Sequence, residues 1–162
     1  MTHDQKIIRV LGIDPGYDRL GVAVVEKTSG QEQVLFSTCL TSDKKAALPE
    51  RYLSLGQELE QIIKREQPDT LAIEKLFFTT NQKTASQISE IRGLIIYLAA
   101  QARLNIVEYT PLQIKSTITG YGKADKNQVI EMVKRLVKLD DTKRWDDEYD
   151  AIAVALTALA RK

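Results

Sequence analysis

The chain has only one cysteine and one histidine in 162 residues, and it has no long apolar run. A single cysteine, Cys39, cannot form an internal disulfide, which fits a reducing compartment. Because zinc sites are built largely from Cys and His, this scarcity also argues against zinc. No stretch approaches the roughly 18 apolar residues that a membrane helix needs, so no membrane partner is expected. Residues 1–6 are polar and lack the apolar block of a secretion signal, so we expect a cytoplasmic protein.

The chain does have the composition of a folded domain. Apolar residues make up 43% and charged residues 28%, close to the usual shares of globular proteins. No internal repeat, low-complexity tract or linker divides the sequence. We therefore expect one domain over residues 1–162, with residues 1–6 as a flexible tail.

The net charge of +1 conceals an uneven distribution. Residues 103–138 carry seven basic and three acidic side chains, whereas residues 139–162 carry four basic and six acidic ones. A basic segment is commonly just a solvated face. Beside an acidic cluster it would also suit a polyanion held through metal ions. Composition leaves both interpretations open.

The first 40 residues predict three antiparallel strands. Residues 7–14, 20–27 and 33–40 are rich in β-branched and other apolar side chains. Residues 15–18 and 28–30, which join them, have the Pro, Gly, Asp and Ser typical of turns. Such short connections imply an antiparallel meander.

The rest of the chain alternates between helical and strand patterns. Apolar residues spaced by three and four predict an amphipathic helix over residues 48–62, which Pro68 stops. The later segments predict, in order, a strand at 70–74, a helix at about 81–102, a strand at 105–109, a helix capped by Thr110, a helix capped by Asp125 or by a turn at 124–125, and a last helix at about 147–161. This order predicts an α/β fold, with helices on both faces of a mixed five-stranded sheet of three antiparallel strands followed by two parallel ones. The strand order cannot be deduced from this pattern.

Four acidic residues stand out by their context. Asp14 closes an apolar strand just before Pro-Gly, and Glu74 ends the apolar strand at 70–74. Asp147 and Asp150 are three residues apart at the start of the last helix and therefore share one face. Each has an ordinary explanation, as a turn former, an ion-pair partner or an acid favoured by the helix dipole.

Taken together, these acids indicate a metal site. Two strand ends and one helix start can converge at one point of an α/β fold. Carboxylates gathered there would repel one another, and divalent cations would relieve the repulsion. Oxygen ligands suit Mg²⁺ or Mn²⁺. Such a cluster is a usual means of two-metal phosphodiester hydrolysis.

The sequence around these acids resembles the motifs of the RuvC family of Holliday-junction resolvases. The opening motif is Gly12-Ile13-Asp14-Pro15-Gly16 with residues 21–23, and the second and third blocks are residues 72–78 and 147–155. Residues 113–117, 120–122 and 126–129 are similar to the family's basic stretch. The resemblance covers nearly the whole chain in the right order, and four blocks together are specific where one is weak.

The resemblance implies a ribonuclease-H-like fold in which Asp14, Glu74, Asp147 and Asp150 are the catalytic residues and metal ligands. The third position varies in the family between aspartate and histidine. Asp146 competes for it, because residues four apart also share a helix face. We prefer Asp147 because the D-x-x-D-A spacing fits.

The implied activity is a structure-selective endonuclease that resolves four-way DNA junctions in homologous recombination and repair. It would make paired symmetric nicks and leave 5′-phosphate ends. The implied cofactor is Mg²⁺, two ions per active site, with Mn²⁺ as a substitute. The attack would come from metal-bound water, without a covalent protein intermediate.

The resemblance also implies a set of DNA contacts. The residues expected to bind DNA are Phe77, Phe78, Asn81, Lys83, Lys115, Lys123 and Lys126. Phe77 occupies the position of a family aromatic that stacks on an unpaired base at the crossover. Lys115 and Lys126 are expected to meet phosphates, and Lys126 to stabilise charge in the transition state.

A homodimer is the expected assembly. The apolar residues of the helix at 81–102 spread over roughly 200° of its circumference, about twice an ordinary buried stripe. A twofold dimer would place two active sites on two strands of a twofold junction. The resemblance also suggests a branch-migration motor complex as a partner.

Two other functions fit parts of the pattern. Asp14 in a turn after a strand also resembles the phosphate turn of actin-like ATPases, although those proteins need two such lobes. A non-catalytic or RNA-processing relative with the same core is the other alternative, and the complete set of four acids argues against it.

Overall fold

The computed structural model describes residues 7–16, 18–76 and 81–161. Phe77, Phe78 and the predicted tail at residues 1–6 lie outside the described residues. The strands of the described part are β1 (Ile8–Pro15), β2 (Arg19–Thr28), β3 (Gln31–Thr41), β4 (Thr70–Glu74) and β5 (Asn105–Tyr109). Its helices are α1 (Leu48–Glu66), α2 (Gln82–Gln101), α3 (Pro111–Thr119), α4 (Lys126–Leu136) and α5 (Asp146–Ala160).

The strands form one mixed sheet in the order β3-β2-β1-β4-β5. β2 is antiparallel to both β1 and β3, while β4 is parallel to both β1 and β5. The predicted set of three antiparallel strands followed by two parallel ones is confirmed. The order places β1 at the centre, where it joins the antiparallel and parallel halves.

Each face of the sheet buries its own apolar core. Leu11 and Ile13 of β1 belong to the core under α1 and α2. Val10 belongs to the core under α3, α4 and α5. Because side chains alternate across a strand, every second residue of β1 therefore faces the helix layer that contains α5.

Local capping explains where two of the helices begin. Thr110 caps α3 by accepting a hydrogen bond from the Gln113 backbone N–H, with Pro111 as the first helical residue. Asp125 caps α4 in the same way through Gln128 N–H, which decides between the two predicted caps. These caps orient α3 and α4, which carry the two lysines nearest the acidic residues.

None of the helices in the described part of the chain is both long and apolar enough to span a membrane.

Candidate active site

Two of the acidic residues lie side by side at one edge of the sheet. Ile13 of β1 is paired with Ile73 of the parallel strand β4, and each is followed directly by an acid, Asp14 or Glu74. Both isoleucines belong to the core under α1 and α2. The alternation of side chains therefore turns both acids towards the face that α5 covers.

Two glycines allow α5 to lie directly on the sheet. A Cβ atom on Gly12 would overlap the Ala151 carbonyl oxygen and stand 2.8 Å from the Ala155 Cβ. A Cβ atom on Gly21, which pairs with Asp14, would overlap the Asp147 carbonyl oxygen. The absence of these two side chains brings the first turns of α5 against β1 and β2. Asp147 and Asp150 are thereby placed beside the strand-end acids.

The electrostatics show that the four carboxylates share one site. Burial, followed by the charges of Asp150, Glu74 and Asp147, raises the pKa of Asp14 from 3.8 to about 7, while Lys126 opposes the rise. Burial and the Asp150 charge also raise the pKa of Glu74. Burial raises the pKa of Asp150 against the lowering effect of Lys126. The cluster favours a bound proton or cation because it concentrates negative charge away from water.

Basic residues close the site on the side of α3 and α4. Lys126 Nζ lies 3.1 Å from Asp150 Oδ2 and 3.8 Å from Asp146 Oδ2. Partial burial lowers the pKa of Lys126, but the hydrogen bond and charge of Asp150 outweigh that effect and raise it. Glu74, Lys115, Lys126 and Asp150 line a pocket of about 280 Å³ together with five apolar residues of α3, α4 and α5. This mixture of acids and lysines suits a phosphate approached through cations.

Asp147 has the unsatisfied oxygen expected of a metal ligand. Its Oδ2 atom is buried and accepts no hydrogen bond. Its ion-pair partner, Arg19 Nε, lies 3.2 Å away without hydrogen-bond alignment. Asp146, by contrast, has a side chain 64% exposed that faces Lys126. The difference favours Asp147 over Asp146, since a buried carboxylate oxygen without a donor is costly unless a cation binds it.

The donor set fits a hard divalent cation, although its side chains do not enclose one. All four candidate ligands are carboxylates, the oxygen donors that Mg²⁺ and Mn²⁺ prefer. Across residues 7–16, 18–76 and 81–161, no three Asp, Glu, Cys or His side chains form a metal-binding group as they stand. Three of these carboxylates would have to move closer together before they could contact one ion.

The predicted DNA-contact residues are placed differently from one another. Lys115 and Lys126 line the pocket of about 280 Å³ beside Glu74 and Asp150. Lys83 and Lys123 are exposed on the surface. Asn81 caps α2, where its side chain accepts a hydrogen bond from Thr84 N–H at 3.2 Å. Phe77 and Phe78 lie outside the described residues.

Sequence reasoning missed three residues that contact the site or its supporting strands. Glu148, only 6% exposed, accepts hydrogen bonds from Ser37 Oγ at 2.8 Å and Trp145 N–H at 2.9 Å, and so ties the first turn of α5 to β3. An acid three residues after a helix cap is a recognisable signal that would have found it. Arg19 and the buried Arg92 had no comparable signal, because their partners are distant in the sequence.

The family model and the curated relatives point to one family. The family model described as Crossover junction endodeoxyribonuclease RuvC matches residues 10–158. A relative from Caldicellulosiruptor saccharolyticus with that name is 47% identical over 150 residues, 92% of this chain and 90% of its own. One from Finegoldia magna is 44% identical over 149 residues, 92% of this chain and 91% of its own.

A solved structure agrees with these sequence matches. The structure of Thermus thermophilus RuvC in complex with a Holliday junction substrate has a TM-score of 0.88 and 28% identity, and covers 95% of this chain and 94% of its own.

Proposed function

The chain belongs to the RuvC family of crossover junction endodeoxyribonucleases, and we propose that it resolves four-way DNA junctions by paired symmetric nicks. The products would carry 5′-phosphate ends, as suits homologous recombination and DNA repair. The observation that carries this proposal is the placement of four carboxylates at one edge of the sheet. Ile13 of β1 pairs with Ile73 of β4, and Asp14 and Glu74 are the residues that follow them. Helix α5, which carries the other two acids, packs on Gly12 and Gly21.

In this proposal Asp14, Glu74, Asp147 and Asp150 hold two Mg²⁺ ions, for which Mn²⁺ can substitute. Support comes from the buried oxygen of Asp147 that accepts no hydrogen bond and from the raised pKa of Asp14. When bound, such ions lower the pKa of the attacking water and stabilise charge on the leaving 3′ oxygen. Asp14 would hold the ions together with the other three acids, whose charges all act on its pKa.

The lysines of α3 and α4 would bind and orient the scissile phosphate. Lys115 and Lys126 share a pocket with Glu74 and Asp150, so a phosphate brought to the acids also meets two cations. Lys126 forms an ion pair with Asp150. With a junction bound, its ammonium group would donate to a phosphate oxygen and stabilise charge that develops during cleavage.

The remaining predicted contacts would recognise the junction. Phe77 is proposed to stack on an unpaired base at the crossover, a contact worth about 1–3 kcal/mol per base. Phe78, Asn81, Lys83 and Lys123 are proposed to contact the neighbouring DNA. Such backbone contacts set register and orientation without reading the sequence.

We propose a homodimer assembled through α2. Tyr97 is 62% exposed on this helix, and Ile88 and Ile96 are only half-buried. Covering these side chains with a second copy would remove apolar surface from water. A twofold dimer would supply two active sites for two strands. We also propose that a branch-migration motor is a partner of this protein and that the protein is cytoplasmic.

The deciding experiment compares DNA substrates of different shape. Purified protein is incubated with Mg²⁺ and an end-labelled mobile four-way junction, a flap or a linear duplex. We expect paired nicks at symmetric positions in the junction alone, and products that a ligase reseals. Binding of the junction without cleavage, in Mg²⁺ and in Mn²⁺, would favour a non-catalytic relative. Equal cleavage of linear duplex would contradict junction selectivity.

A further inference from the structure

Arg92 of α2 is a buried basic residue beside the ends of β4 and β5. It is 8% exposed, although it lies on a helix whose other buried residues are apolar. A buried guanidinium is costly to remove from water and persists only where its donors find acceptors. Its partners therefore indicate what it does.

Both partners belong to strand ends at the acidic site. One guanidinium nitrogen, Nη1, donates to the main-chain carbonyl oxygen of Glu74. The other, Nη2, donates to Glu108 Oε2 at 2.6 Å. Glu74 is the last residue of β4, and Glu108 lies in the neighbouring strand β5. Arg92 thus ties α2, β4 and β5 together at the residue whose carboxylate is a proposed metal ligand.

The contact occurs where the sheet no longer holds Glu74 from both sides. The ladder between β1 and β4 extends to the Ile13–Ile73 pair, one residue short of Glu74. On the other side, Glu74 pairs with Tyr109, and Lys75 N–H donates to the Tyr109 carbonyl at 2.7 Å. The charge-assisted hydrogen bond from the rigid, planar guanidinium of Arg92 holds the Glu74 carbonyl at the point where β1 no longer pairs with β4.

We propose that Arg92 is a positioning residue for Glu74. Its guanidinium is held by Glu108 and donates to the Glu74 carbonyl, and by fixing this main chain it sets the direction of the Glu74 carboxylate. This inference rests on the proposed metal-dependent cleavage. It deepens that proposal because it assigns the geometry of one ligand to a residue that contacts the main chain of that ligand and the side chain of Glu108. Partners behind a metal ligand commonly matter about tenfold to a hundredfold for metal affinity or activity.

The chain provides a matched control at the opposite end of the sheet. Arg9 Nη1 donates to the Glu66 carbonyl at 2.5 Å, and Nη2 donates to Glu26 Oε2 at 2.6 Å. Arg9 therefore makes the same two kinds of contact, to a main-chain carbonyl and a carboxylate. It lies near the start of β1, five residues before Asp14, which at about 3.3 Å per residue is roughly 16 Å from the site.

The test compares Arg92→Gln with Arg9→Gln in four measurements. These are the thermal midpoint, Mn²⁺ affinity by electron paramagnetic resonance, junction affinity in Ca²⁺, and the single-turnover cleavage rate as a function of Mg²⁺. Both variants should lose thermal stability. Only Arg92→Gln should weaken Mn²⁺ binding and lower the cleavage rate at limiting Mg²⁺, each by about tenfold or more. Junction affinity should stay within about twofold of wild type in both.

Two further variants keep the test decisive if Arg92→Gln does not fold. Arg92→Lys retains the charge but replaces the planar, forked guanidinium by a single nitrogen, so its Mn²⁺ affinity should fall between those of Arg92→Gln and wild type. Glu108→Gln keeps an acceptor at a half-exposed position and should show a smaller loss than Arg92→Gln. Mn²⁺ affinities in these variants equal to that of Arg9→Gln would overturn the positioning role. Failure of the wild type to cut junctions would instead count against the proposed function.

Discussion

Lys126 Nζ lies 3.1 Å from Asp150 Oδ2, so a predicted phosphate-binding lysine is already paired with a predicted metal ligand. The pair joins the N-terminal end of α4 to the first turns of α5. One lysine can therefore act both on the acidic cluster and on the DNA that approaches it. Substitutions of Lys126 and of the exposed Lys123 separate these roles.

We expect Lys126→Met to lower the cleavage rate at saturating junction by about tenfold to a hundredfold, because it removes a cation beside the reacting phosphate. Lys123→Met, an exposed lysine three residues earlier, is the matched control. It should weaken junction affinity and reduce the slope of log affinity against log salt concentration by about one. The cleavage rate at saturating junction should change little. Equal effects of the two substitutions on the saturated rate would contradict a special role for Lys126.

The raised pKa of Asp14 predicts a pH-dependent stability of the metal-free protein. The folded state keeps the Asp14 proton to about pH 7, whereas an unfolded chain releases it near 3.8. The folded state thus binds more protons between these values, and stability falls as the pH rises through this window. The loss from Asp14 should be on the order of 2–4 kcal/mol and complete above pH 7.

Chemical denaturation of wild type and Asp14→Asn from pH 4 to pH 8 measures this contribution. The free energy of unfolding of Asp14→Asn should exceed that of wild type increasingly up to pH 7. Mg²⁺ at pH 8 should stabilise wild type more than the variant, and the variant should bind junctions without cutting them. A difference that does not change with pH would show that Asp14 ionises normally in the folded protein.

Arg19 should compete with the metal for Asp147. Its Nε atom lies 3.2 Å from the buried Asp147 Oδ2, and its side chain is 45% exposed. Removing this charge in Arg19→Ala should lower the Mg²⁺ concentration for half-maximal cleavage by about threefold to tenfold, because a nearby like charge weakens cation binding. Lys44→Ala, which breaks an exposed pair with Asp18, should leave that concentration unchanged. A higher Mg²⁺ requirement in Arg19→Ala would contradict this competition and indicate that Arg19 positions Asp147 for the metal.

Phe77→Ala should reduce cleavage more than affinity if its ring stacks on a base at the crossover. Loss of one stack costs about 1–3 kcal/mol, or roughly fivefold to a hundredfold in rate if the stack forms only in the opened junction. Phe78→Ala serves as the neighbouring control. The measurement is single-turnover cleavage at saturating protein beside equilibrium binding in Ca²⁺. A Phe77→Ala variant that cuts like wild type would disprove the stacking role.

Gly21→Ala should displace the first turn of α5. Its Cβ would overlap the Asp147 carbonyl oxygen, so we expect a loss of about 1–3 kcal/mol in stability and a large drop in cleavage. Gly30→Ala is the control at the far end of β2. It is strained because Gly30 has φ of 81°, yet its Cβ would meet nothing within 4 Å. Both variants should melt earlier, but Gly30→Ala should keep its cleavage rate below the melting temperature.

The agreement between sequence and fold is closest where the signal is local. The strands at 70–74 and 105–109 are found at the predicted residues, and Thr110 and Asp125 cap the predicted helices. β3 is longer than predicted, because its exposed Gln and Glu residues pair with β2 without contributing to the apolar pattern. The identity of the acids as ligands stays a prediction, as do the homodimer and the motor partner.

Alternation along strands, spacing along helices and the residues at their ends were sufficient to identify the elements, the sheet's mixed character and the four acids. These features depend on neighbours close in the chain, which the sequence displays directly. The central place of β1, the seating of α5 on Gly12 and Gly21, and the contacts of Arg19 and Arg92 emerged only in the folded molecule. They depend on which distant segments pack together, because the role of an arginine or a glycine is set by the residues that folding places beside it.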